Sequence, residues 1–418
     1  MRDESKAIEW LKRVIREKTI LGEETKVANI IKEILWEEAG IKSTLVPLDG
    51  DENRCNLVAE IKGNKPGPVL AFAGHMDVVP LGEGAWDVED PFGAEEVNGR
   101  IYGRGSSDMK AGLMASVVAM INLKNSGADF SGGLKLFATA GEESGLLGSK
   151  QLREQKYADD VDAMIVGEPT QGITFAGHKG VLRIKITTDI EIPEGEKPEP
   201  GKNAINYMLK FLENYDKEFK LSDFIVEDPT DRLSLNININ PPTISLNLVG
   251  NEVNEGEFEE PEMNEEEQED INTTHWEIAF EVRTKPDLDQ DALVAKLEEL
   301  MRKTEQENPG LTMGLKIFVK NAPVSTPRNH PFVQLVRKAN RAVFSSPLDL
   351  PGCTDASEFI QLRKETPPGE PVHLPIVIFA HANMLTAHKS NEYVDVSLYK
   401  ESIKIYERII KEYLQTNF

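Results

Sequence analysis

Four short apolar runs of this 418-residue chain lead into side chains that can bind a cation or move a proton. "GPVLAFAGHMDVV" delivers His75 and Asp77, "GGLKLFATAGEES" Glu142 and Glu143, and "DAMIVGEPT" Glu168; "PIVIFAHAN" is followed by "TAHKSNEYV", which holds His388. A fifth stretch, "RIYGRGSSDMKAG", puts Asp108 in a Gly/Ser loop just ahead of a helical pattern. Singly, each acid is what a strand end or a helix start usually carries. Gathered at one edge, carboxylates repel and raise one another's pKa, so the set is costly unless something positive sits among it. Two imidazoles and several carboxylates, with no useful thiolate, suit divalent ions bound through N and O: zinc first, with cobalt or manganese as alternatives. Two such ions about 3.5–4 Å apart can share a bridging carboxylate and a bridging water, whose pKa falls toward about 7. Two divalent metal ions are therefore expected.

The elements that must carry these residues alternate between strand-like and helix-like blocks, which implies an α/β fold with a mostly parallel sheet flanked by helices. In open sheets of that kind, ligands bind outside the carboxyl ends of the strands, where the polar residues fall here. From Val181 the texture changes. "VLRIKITT", "NAINYMLKFLENYDKEF", "PTISLNLVG", "HWEIAFEVRT", "DQDALVAKLEELMRKT" and "TMGLKIFVKNA" read as β-α-β-β-α-β, the ferredoxin-like order. An α+β domain over 181–321 is thus expected to be inserted into a catalytic domain formed by 1–180 and 322–418. The acidic run Asn254–Asp270 has no Lys or Arg and reads as a solvated loop.

Charge and composition narrow the partners. A formal net charge of −24 argues against nucleic acid and anionic membranes. No apolar run approaches the roughly 20 residues that span a bilayer. The opening "MRDESKAIEWLKRVIREK" reads as an amphipathic helix, not a secretion signal, because it lacks an uninterrupted apolar region. With only Cys55 and Cys353 there is no disulfide framework, and a cytoplasmic location is expected.

The stretches "GHMDVVP", "GRIYGRGSSDMKAGL", "GEESG", "GEPT" and "AHKSNEYV" together resemble the M20 metallopeptidases, and within them the succinyl-diaminopimelate desuccinylase and acetylornithine deacetylase group. The resemblance implies that His75 and Glu168 hold one metal, Glu143 and His388 the other, and that Asp108 bridges them. It implies Glu142 as general base, and Asp77 as the group that fixes the tautomer and orientation of His75. It further implies that the inserted domain acts as a lid, forms a homodimer, and supplies Arg283 and Asn254 to a small N-acyl amino acid substrate. Arg283 would grip the substrate carboxylate with its planar fork. The expected reaction is hydrolysis of the amide of N-succinyl-LL-2,6-diaminopimelate or N-acetylornithine.

The chain also departs from that pattern. Where relatives carry a lid histidine that reaches the partner's active site, Glu194 stands here, and a carboxylate cannot donate a hydrogen bond to an oxyanion. "FAHANM" replaces a Gly-Pro-Gly loop, which makes His381 a candidate replacement donor, and "GCTDAS" replaces Gly-Gly-Thr-Asp. Two alternatives stay open at this point: a di- or tripeptidase of the same family, and a metal-binding scaffold with weakened catalysis.

Overall fold

The computed structural model describes residues 4–82, 84–191, 202–218, 273–285, 288–341, 347–361, 363–364 and 372–415. It divides into two compact units, Met1–Lys179 with Ala322–Phe418, and Gly180–Asn321.

The first unit is built on a nine-stranded sheet. Its centre is four adjacent parallel strands in the order Ser131–Thr139, Lys65–His75, Ala163–Val166 and Ile376–Ile378. This is the parallel sheet the sequence implies. Its flanks are antiparallel: Ser43–Leu48 and Asp51–Lys62 on one side, and Phe175–His178 with Val324–Ser325 on the other. Alternating side-chain direction along the central strands splits their buried apolar residues between two cores. Leu70 and Phe72 pack with Leu134, Leu136 and Ile165 under the helices Glu4–Ile15, Thr25–Ala39, Ala111–Ser126 and Val396–Gln415. Ala71 and Ala73 pack on the opposite face with Phe137, Met164 and Val166 against Leu152 and Phe359. Covered on both faces, the strands read as continuous apolar runs.

The helix Ala111–Ser126 is buried over most of its circumference and stops at Gly127, whose φ of 63° is the left-handed geometry of a helix C-terminus. Ahead of it, Ser106–Lys110 forms a tight turn in which Asp108 and Met109 leave helical geometry and the Asp108–Met109 peptide is cis. Asp108 therefore sits on the turn. One residue past the helix start, Gly112 lies against Gly167, the residue before Glu168. A Cβ at Gly112 would stand 1.8 Å from the Gly167 carbonyl oxygen. Two candidate ligands, Asp108 and Glu168, are thus brought together by a backbone contact that only glycine permits.

In the second unit the described elements run strand Gly180–Glu191, helix Ala204–Glu218, strand Thr273–Thr284, helix Gln290–Glu307 and strand Leu311–Asn321. Gly180–Glu191 lies between the other two strands, antiparallel to both. Asn203 caps the first helix by accepting from the Asn206 N–H at 2.9 Å. Leu182, Ile184 and Ile186 pack with Phe211 and Leu297 in a core of this unit. The expected strand "PTISLNLVG", the acidic run, Glu194 and Asn254 all lie outside the described residues. Among the described residues no helix is long and apolar enough to cross a membrane.

The glycine contact yields a stability prediction. Alanine at position 112 gains about 1 kcal/mol of helix propensity. A backbone oxygen at 1.8 Å cannot be relieved by a rotamer change, however, and overpacking of this kind costs about 1–3 kcal/mol. Gly112→Ala should be net destabilised in urea unfolding; a midpoint equal to or above that of the parent would contradict the contact.

Candidate metal centre

The four central strands run in one direction, so their carboxyl ends share one edge of the sheet. His75 is the last residue of its strand, Glu142 and Glu143 follow Ser131–Thr139, Glu168 follows Ala163–Val166, and His388 follows Ile376–Ile378. Three groups of side chains have ligating atoms within 4.8 Å of one another, and two of them are His75, Asp108 and Glu168, and Asp108, Glu143 and His388. Asp108 belongs to both. Its Oδ1 lies 3.2 Å from His75 Nε2, and its Oδ2 lies 3.2 Å from His388 Nε2. Glu168 Oε2 is 4.0 Å from His75 Nε2, and Glu143 Oε1 is 2.9 Å from His388 Nε2. Glu142 groups with His75 and Glu143 instead. His75 and Glu168 are buried, whereas His388 is exposed on a loop and holds a left-handed φ of 62°, uncommon for a non-glycine residue.

The electrostatics show a site with too little positive charge. Burial pushes Glu142 well above the usual carboxylate range, with the charges of Glu168 and Glu143 adding to it and His75 opposing. Glu168 is pushed the same way by burial and by Asp108. Burial also lifts Asp77, to about 6. Hydrogen bonds to Asp108 and Glu143 raise His388 to about 10. Burial disfavours a charged His75, yet its bond to Asp108 and the charges of Glu168 and Glu142 lift it well above the ordinary imidazole range. Divalent ions would relieve the same repulsion, and the donor set of nitrogen and oxygen atoms fits them.

Asp77 is placed differently from the expectation. The His75 Nδ1 hydrogen bond goes to the main-chain oxygen of Asp77 at 2.9 Å, while the carboxylate oxygen stands off at 3.6 Å. The carboxylate instead accepts from the Glu142 N–H (Oδ1, 3.1 Å) and the Glu143 N–H (Oδ2, 3.0 Å). It fixes the loop that carries those two acids, and the histidine is fixed by backbone.

Several buried residues belong to the site without being among those the sequence singles out. Glu24 is fully buried, pairs with Arg54 at 2.6 Å, and accepts from the Gly141 N–H at 3.1 Å. Glu392, four residues past His388, accepts from the amides of Gly105, Ser107 and Asp108. Asp355, within "GCTDAS", is buried and accepts from the Thr139 hydroxyl at 2.5 Å, and its charge adds to the pressure on Glu142 and Glu168. A four-residue spacing from His388 is the one pattern that could have pointed to Glu392. His381 is no replacement donor: its Nε2 is bonded to Asn340 Oδ1 at 2.9 Å and its ring packs on Gly172. Arg283 lies in the second unit, paired with Val181 on the strand Thr273–Thr284. Asn254 and Glu194 fall outside the described residues.

Comparison with known proteins follows the same lines. Residues 71–412 match the model of peptidase family M20/M25/M40. A protein of Staphylococcus aureus (strain MSSA476) named "Probable succinyl-diaminopimelate desuccinylase" is 30% identical over 426 residues, covering 99% of this chain and 98% of that protein. Among solved structures, an M20 family metallo-carboxypeptidase from Sulfolobus solfataricus shares the fold with a TM-score of 0.64 at 20% identity, covering 99% of each chain. A Bacillus subtilis protein described as a dinuclear metal binding peptidase of the M20 family gives 0.64 at 15% identity over 98% of each chain. With the family model matched over most of its length and a full-length relative beside it, the chain belongs to peptidase family M20/M25/M40, as a metallohydrolase of amide bonds.

Proposed function

We propose that the chain hydrolyses the amide bond of N-acyl amino acids with two divalent metal ions, zinc before cobalt or manganese, and that N-succinyl-LL-2,6-diaminopimelate is its substrate. The observation that carries the reading is the pair of ligand sets joined through Asp108. The choice of substrate draws on the full-length relatives named as desuccinylases, at about 30% identity. N-acetylornithine is the next candidate.

His75 and Glu168 would hold one ion, Glu143 and His388 the other, with Asp108 shared. Such ions supply Lewis acidity toward the substrate carbonyl and a water acidified toward about pH 7. Glu142 is the general base: it takes a proton from the attacking water and returns it to the leaving amine nitrogen. Its carboxylate groups with His75 and Glu143, beside the residues that would hold the ions, which is where a base for that water has to stand. Asp77 keeps Glu142 aimed by holding its main-chain N–H. Arg283 and Asn254 of the inserted unit are proposed to meet the substrate, and that unit to form the contact of a homodimer.

The test is a panel of N-succinyl and N-acetyl amino acids together with unblocked dipeptides, assayed with zinc- or cobalt-loaded protein. Turnover of N-succinyl-diaminopimelate is expected, and Glu142→Ala should lower it by about 10²–10⁴-fold. Turnover confined to substrates with a free α-amino group would contradict the reading in favour of a peptidase, and turnover at the Glu142→Ala level on every compound would remove it. Asp77→Asn places an amide N–H₂ where a main-chain N–H needs an acceptor. It should lower kcat by about 10–100-fold with KM within about twofold, and an unchanged kcat would show that the Glu142 loop needs no such anchor.

A further inference from the structure

We propose that Glu392 is the positioning residue of the metal centre, holding the turn that carries Asp108 and the loop that carries His388 in one frame. The inference rests on the two-ion reading of the site. Glu392 is fully buried, and both of its carboxylate oxygens are occupied by donors from that turn. Oε1 accepts from the Ser107 and Asp108 amides, each at 2.9 Å. Oε2 accepts from the Gly105 amide at 3.0 Å and from Arg104 Nη1 at 2.6 Å.

A glutamate retained only to neutralise a buried arginine would meet that arginine and leave the turn to other partners. Here a single oxygen meets Arg104, while the other is given wholly to main-chain amides, one of them belonging to Asp108 itself. The anchor acts on the other loop as well. Glu392 lies four residues after His388, its own carbonyl accepts from the Gly103 N–H at 2.9 Å, and Arg104 Nη1 reaches back to the Lys389 carbonyl at 3.3 Å. The Ser107 hydroxyl completes the link by donating to the Asn383 carbonyl at 3.0 Å. Asp108 and His388, whose side chains stand 3.2 Å apart, are thus the tips of two loops fastened through one carboxylate. Displacing Glu392 should move the shared ligand relative to the exposed one and change the geometry of both metal positions.

The experiment reads coordination directly, separately from catalysis. The metal-free full chain is titrated with cobalt(II), following the visible d–d absorption, and thermal unfolding is recorded on the same samples. Glu392→Gln leaves an N–H₂ facing amide donors. It should bind cobalt about 10–100-fold more weakly and show an altered d–d spectrum while still unfolding cooperatively. Arg153→Met, which breaks the partly buried Arg153–Glu358 pair away from these loops, should lose stability yet keep the parental spectrum. A folded Glu392→Gln with parental cobalt affinity and spectrum would overturn the proposal. If that variant does not fold, Glu392→Asp, which keeps the charge and withdraws the oxygens by one methylene, is judged by the same criteria; failure of both to fold would reduce Glu392 to a fold-holding residue and overturn the proposal as well. Parental protein that binds cobalt but cleaves no amide would end the substrate reading and leave this inference standing, whereas parental protein that binds no cobalt would end both.

Discussion

Three buried carboxylates, each accepting main-chain N–H groups from a loop that carries the site, set the geometry of this protein. Glu24 holds Gly141, Asp77 holds Glu142 and Glu143, and Glu392 holds Gly105, Ser107 and Asp108. Loops at strand ends have unpaired amides that would be costly to bury. Here each carboxylate satisfies one to three of them and fixes the loop as it does so. Two of the three acids are themselves paired with arginines, Glu24 with Arg54 and Glu392 with Arg104. Asp77 instead stands 3.6 Å from the His75 imidazole and is lifted to about 6 by burial.

This arrangement explains how so many acids can crowd one sheet edge. The anchoring acids discharge into backbone and arginine, whereas Glu142, Glu143, Glu168 and Asp108 face one another and two imidazoles. The side chains that can serve ions thus face one another at the centre of the site, while burial also lifts the anchoring acids Asp77 and Glu392. Parallel strands supply the convergence, since four neighbouring strand ends emerge on the same side. The Gly112–Gly167 contact then closes the distance between the turn and the third of those strands.

Much of this was legible in the sequence, and the reasons are specific. His75, Glu142, Glu143 and Glu168 follow apolar runs whose continuity marks strands covered on both faces, so their convergence follows from the α/β alternation. Asp108 is legible on other grounds, standing in a Gly/Ser loop just ahead of an apolar helical stretch. Glu24 and Glu392 were not legible as anchors, because in a chain this acidic a loop glutamate looks like any solvated one until its burial is known. The partner of the His75 Nδ1 could not be read either: residue type named Asp77, but whether its carbonyl or its carboxylate makes the bond is a matter of backbone conformation. The antiparallel flanks of the sheet are not legible in the same way, since flanking strands such as Asp51–Lys62 mix polar and apolar residues and lack the signature of the centre. For His381, proximity in sequence to the substituted loop suggested a role that its bond to Asn340 removes.

The central claim is that one shared carboxylate organises two cation positions at the strand ends. It is tested most directly by counting ions bound to metal-free protein at equilibrium with zinc, in the parent and in Asp108→Ala. The account predicts saturation at two zinc ions per chain in the parent and loss of tight binding at both positions in the variant. A parent that saturates at one ion or none, or a variant that still binds two with parental affinity, would contradict it.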